Sequence, residues 1–153
     1  MAKKLTLDLG FIELDINGNG LLRFNPSDPN VYQRFYALAK ELPKMETKYR
    51  STFEPEDSMD ETAAAGALLT QMKAFDADVK NRLSAAFGDW NDFDKLLSGV
   101  NLMAIGSNGQ RIITNLLEAL SPYVRDGAKR YRESVAAEAV AVAERERAVR
   151  KEQ

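Results

Sequence analysis

Residues 11–30 read FIELDINGNGLLRFNPSDPN, and this stretch decides the fold. Ile12, Leu14 and Ile16 alternate with Glu13 and Asp15, the period-two pattern of a half-buried strand. Asn17-Gly18-Asn19-Gly20 follows, a strong hairpin signal because asparagine and glycine tolerate positive φ. Leu22 and Phe24 supply a short return strand. Asn25 to Asn30 then closes the sheet and opens a helix, with Asp28 as N-cap and Pro29 at the first helical position. The expected class is α+β, mostly α-helical: a short N-terminal β-hairpin or meander, a helical bundle and a long C-terminal helix.

Upstream, Leu5, Leu7 and Leu9 alternate with Thr6 and Asp8, so β structure is expected over 4–25. The apolar parity changes at Gly10, which calls for a bulge or turn there. Downstream, Val31, Phe35, Leu38 and Leu42 share one helix face up to Pro43, and 51–57 reads as a polar loop. Ser58-Met59-Asp60-Glu61 has the form of a capping box. It opens a helix presenting Leu68, Met72, Phe75, Val79 and Leu83, which Gly88 stops. A short helix at about 92–98 and an apolar connection, Val100 to Ile105, come next. Gly106 to Gly109 then turns into a helix carrying Ile112, Ile113, Leu116, Leu117 and Leu120. These readings make one α+β domain over 1–124, helical from 28, and a charged, alanine-rich helical extension over 125–153. In that extension Ala128, Val135, Val142 and Val149 recur every seven residues. The second heptad column, Val124, Tyr131, Glu138 and Arg145, turns polar halfway. Residues 123–137 are therefore expected to dock on the body or a neighbouring subunit. From about 138 the helix is expected to fray when free and to be steadied by a partner.

Composition narrows the function. At 153 residues, 44% hydrophobic and 29% charged, the chain fits a single soluble domain. It has neither cysteine nor histidine, which removes the thiolate nucleophile, the usual general base and the usual metal ligand. No run approaches the roughly 20 apolar residues of a membrane helix. MAKKLTLDLG also lacks a signal peptide's continuous apolar region, so no membrane association is expected. Eight basic and six acidic residues after Val124 leave the extension at +2; thirteen basic and seventeen acidic leave the remainder at −4. Glutamates interleave with the arginines of the extension at helical spacing, a pattern of surface ion pairs rather than of nucleic-acid binding.

Three apparent sites dissolve on inspection. Asp15 to Gly20 matches the opening of a calcium loop, but Arg23 and Pro26 stand where its later oxygen ligands belong. Gly106-Ser107-Asn108-Gly109 precedes a helix as a phosphate loop would, yet Gln110 replaces the required lysine. The carboxylate pairs Asp76/Asp78 and Asp92/Asp94 sit among polar residues on helix surfaces or at caps. No catalytic, cofactor-binding or metal-ligating residue is assigned, and the chain is not expected to be an enzyme. Trp90, the only tryptophan, is either a loop anchor or part of a partner surface.

Arg23-Phe24-Asn25-Pro26-Ser27-Asp28-Pro29-Asn30 followed by Tyr32-Gln33-Arg34-Phe35-Tyr36 resembles the tail assembly chaperones of siphophages and prophages of Gram-positive hosts. Phe87-Gly88 through Phe93-Asp94, Gly99-Val100-Asn101-Leu102, Gly109 and Leu116 to Leu120 resemble that family's second half. The resemblance spans about 5–124 and consists of hydrophobic and turn motifs with no catalytic fingerprint. It implies a non-enzymatic protein of the host cytoplasm during infection that binds the tape measure protein and keeps it soluble. It further implies self-association, a frameshifted longer form, proximity to the tail tube protein, and absence from the mature virion. The competing expectation is a structural minor tail or connector protein that stays in the particle. The partner-binding residues expected on this reading are the apolar side chains Trp90, Leu102, Met103 and Ile105, with Val142 and Val149 on the extension.

Overall fold

Asn17 and Gly18 hold φ of 54° and 76°, and the Ile16 amide donates to the Gly20 carbonyl at 3.0 Å, closing the expected hairpin. The computed structural model to which this turn belongs describes residues 1–52 and 60–151. Strand β1 (Ile12–Asp15) pairs antiparallel with β2 (Leu21–Phe24), Ile12 opposite Phe24 and Asp15 opposite Leu21. Helices α1 (Pro29–Thr52), α2 (Glu61–Phe87), α3 (Phe93–Leu96) and α4 (Ile112–Lys151) follow. The chain is α+β and mostly helical, a small hairpin leading into helices that end in one long rod.

The core gathers where the hairpin's inner face meets the helices. Leu22 and Phe24 are fully buried, against Phe35 of α1, Val79, Leu83 and Phe87 of α2, and Leu116, Leu120 and Val124 of α4. Phe87 is the hub: its ring lies edge-on to Phe24 at 4.9 Å and to Phe35 at 5.9 Å, and tilted to Phe93 at 5.9 Å. Such offset aromatic contacts each add about 0.5–1.5 kcal/mol beyond the area they bury.

Several boundaries differ from expectation, each for a packing reason. Leu5, Leu7 and Leu9 form no strand; they are 83%, 65% and 55% exposed in an unpaired arm. Alternation marks which side of a strand would be buried, but a strand also needs a neighbouring backbone. Helix α1 does not stop at Pro43 but runs to Thr52. Met45 and Tyr49 prolong its apolar stripe, with the Tyr49 ring 5.0 Å from Phe75, and that packing outweighs the roughly 3 kcal/mol an interior proline costs. Residues 51 and 52 therefore end α1 instead of opening a loop, and the rest of that expected loop lies outside the described residues. The cap of α2 is Asp60, whose carboxylate accepts from the Ala63 amide at 2.7 Å; Ser58 lies outside the described residues.

The helix at 112 and the extension are one element. Helix α4 passes through Pro122 and across 124–125 without a break. Its buried stripe ends at Ala128, and Tyr131 adds only a ring-edge contact with Tyr32 at 6.1 Å. Docking on the body is thus shorter than the expected 123–137. The last buried turn contains Gly127, where a Cβ would lie 1.9 Å from the Pro26 carbonyl oxygen. Only glycine lets the helix backbone approach the end of the hairpin so closely.

Candidate interaction surface

Two polar networks hold the connection between α2 and α4, the region that carries four of the expected partner residues. Lys80, 5% exposed, donates to Asp76 at 2.9 Å, Asp94 at 2.7 Å and the Val100 carbonyl at 2.9 Å. Asp76 also accepts from the Leu102 amide at 2.7 Å, so one buried cation ties α2 to α3 and to the loop beyond it. Burial works against the Lys80 charge, but its hydrogen bonds to Asp94 and Asp76 and their negative charges outweigh that, and its pKa is raised.

Asn91 anchors the other side. Buried to 2%, its Oδ1 accepts from the Arg23 amide and its Nδ2 donates to the Arg23 carbonyl, both at 2.9 Å. The side chain occupies the place a third strand would take beside β2. Trp90 Nε1 donates to the same carbonyl at 2.8 Å, and the ring packs edge-on to Phe11 at 5.5 Å. At 61% exposure, Trp90 is both an anchor and an open apolar surface.

The other expected residues separate. Leu102 is completely buried; its amide is held by Asp76 and its carbonyl accepts from Ile113 at 2.9 Å. It is core, not part of a partner surface as expected, because its side chain is sealed among the helices. Met103 is half-buried and lines an apolar notch of about 230 Å³ with Leu68, Met72, Phe75 and Tyr49, bordered by the Glu46–Arg111 ion pair. Ile105, 63% exposed, stands beside it in a narrow turn bridged to Arg111. Burial raises the Tyr49 hydroxyl pKa, aided by the charge and hydrogen bond of Asp78. The notch could not be foreseen, because Met72 and Leu68 continue the stripe of core residues on α2 and only the folded loop shows where that core runs out.

Val142 and Val149 lie far along α4 from these groups. From Lys129 to Lys151 every residue is exposed, so this segment of about 35 Å at 1.5 Å per residue projects from the body. Tyr131, Val135, Val142 and Val149 fall on one side of it, 37–58% exposed. Among the described residues no three metal-ligating side chains converge, and no helix is long and apolar enough to cross a membrane. Compared with known proteins, the chain matches no family model, no curated protein and no solved structure.

Proposed function

We propose that this chain is a phage tail assembly chaperone that binds helical segments of the tape measure protein and holds them soluble until the tail tube assembles around them. The observation that carries the reading is the projecting half of α4, a regular helix whose apolar stripe is exposed and, beyond the edge contact of Tyr131 with Tyr32, buried against none of the described residues. A client helix with a matching seam would lay its apolar face along Tyr131, Val135, Val142 and Val149, and the flanking arginines and glutamates would set its register. The stripe is narrow, so each contact is weak and reversible. That suits a chaperone that must later leave its client. The methionine-lined notch offers a second, adaptable apolar contact near the body.

Co-expression with an apolar helical segment of a tape measure protein tests the reading. The full chain is expected to keep the segment in the supernatant, and Val142→Asp with Val149→Asp to return most of it to the pellet. Equal solubility with the double variant would overturn the role of the stripe. Mass spectrometry of purified particles separates this reading from a structural tail protein, which would be present at fixed copy number. The gene is also expected to lie just upstream of a very long tape measure gene.

A further inference from the structure

The hairpin has one sealed edge and one open one. On β2, Arg23 gives its amide and carbonyl to Asn91 and Trp90, away from β1. Glu13 is its partner across the ladder. In an antiparallel pair the two residues of such a position point their backbone groups outward on opposite edges. The Glu13 amide and carbonyl therefore face the free edge of β1, where no described residue takes them. Among the described residues no proline or cover lies across this edge, and the two charges of β1, Glu13 and Asp15, are both acidic, so it is a template for a strand that brings the opposite charge.

The arm at 1–9 has what that edge lacks. It is unpaired and exposed, and drawn out as a strand it would carry Leu5, Leu7 and Leu9 on one side and Lys4, Thr6 and Asp8 on the other. It does not fold back along its own β1. Asn25 Nδ2 holds the Leu9 carbonyl at 2.9 Å, and Asn25 lies just past Phe24, the partner of Ile12. The arm thus runs on beyond the open end of the hairpin. At Gly10, φ +71° and an amide that donates to the Asp8 carboxylate at 2.9 Å mark a local turn at the position where the apolar parity changes. If that turn becomes a one-residue bulge on pairing, the leucines come to the side of Ile12, Leu14 and Ile16.

We infer that the arm of a second copy of this chain adds to the free edge of β1, each arm on the other copy's hairpin. Charge chooses the direction. Running antiparallel, with Lys4 opposite Asp15, Thr6 opposite Glu13 and Asp8 opposite Phe11, the arm's lysine meets the acidic end of β1. Asp8 then lies near Arg23, whose guanidinium sits 4.5 Å over the Phe11 ring. A parallel arm would set Asp8 against Asp15. In the antiparallel register Leu5 lies beside Leu14 and Leu7 beside Ile12, extending the apolar face of the hairpin. The pairing is also its own reverse: a two-fold axis between Leu9 and Gly10 places both arms at once and closes the dimer. The inference is independent of the chaperone reading, since it uses neither the stripe on α4 nor a client.

The full chain contains no cysteine, so directed disulfides report the register cleanly. Thr6 and Glu13 would form a hydrogen-bonded pair with Cα atoms about 5.5 Å apart, within disulfide reach. Chains carrying Thr6→Cys and Glu13→Cys, mixed and mildly oxidised, are expected to cross-link at least tenfold more than Thr6→Cys with Asp126→Cys. Light scattering should show a dimer that Leu5→Asp with Leu7→Asp weakens at least tenfold. Both substituted leucines are exposed, so the melting midpoint of the body should not move. A strict monomer at hundreds of micromolar overturns the inference. So does a dimer indifferent to the arm substitutions, or cross-linking no stronger than the control.

Discussion

The two halves of α4 share one backbone and obey different rules. Over 112–128 the helix buries Ile113, Leu116, Leu120 and Val124, and Gly127 presses against Pro26. Over 129–151 no residue is buried, and beyond the edge contact of Tyr131 with Tyr32 its regularity rests on alanine propensity and loose pairs such as Lys129–Glu133 at 4.0 Å. The first half is helical because the core requires that face; the second is helical because its residues favour the conformation anywhere. Packing commits a surface, whereas propensity leaves it for a partner.

The sharpest way to break this contrast is a matched pair of truncations on the one helix. Leu120→Ala is expected to lower unfolding free energy by about 3–4 kcal/mol, while Val142→Ala should stay within about 0.5 kcal/mol. Urea denaturation reads both, and comparable losses would show that the second half is packed after all.

A somewhat smaller loss is expected at Lys80, which belongs to the packed body although it is charged. Lys80→Ala removes the partner of the mostly buried Asp76 and frees the 94–102 connection, for about 2–3 kcal/mol; Asp94 is too exposed for the full penalty of a buried pair. Because the Lys80 pKa is raised from its ordinary 10.5, the charged group's contribution is whole below that pH. It is lost as pH climbs through the higher folded value. The difference between wild type and variant should hold steady from pH 6 to 9 and shrink in alkali beyond 10.5. A gap that closed near neutrality would exclude the ion pairs as its source.

Gly127→Ala sharpens the contrast by its sign. In an open helix the change gains up to about 1 kcal/mol, but the Pro26 carbonyl, which is backbone, leaves no room for a Cβ here. A loss of about 2 kcal/mol is expected in thermal melts. The smallest effect belongs to deletion of 138–153, which should leave the melting of the body within a degree or two. Hydrogen exchange should likewise protect amides 116–124 strongly and 140–150 weakly in the isolated chain.

Much of this was legible because it depends on neighbours in the chain. The hairpin follows from Asn17 and Gly18, whose positive φ is local chemistry, and the helical course of α2 and α4 from apolar residues three and four apart. The mostly helical α+β class needed nothing more. The narrow stripe on the extension could also be read directly, since heptad spacing is a property of sequence. What the sequence could not hold is whether an apolar side chain meets anything. Leu102 and Ile105 belong to one apolar run, yet one is fully buried and the other 63% exposed, because an Asp76 carboxylate twenty-six residues away draws in the Leu102 amide. Leu5, Leu7 and Leu9 carry the pattern of a strand and pair with nothing described, whereas Asn91, with no pattern at all, completes the edge of β2. Periodicity determines which face of an element is apolar. Only the tertiary structure decides whether that face is covered, because burial depends on residues that are distant in sequence and adjacent in space.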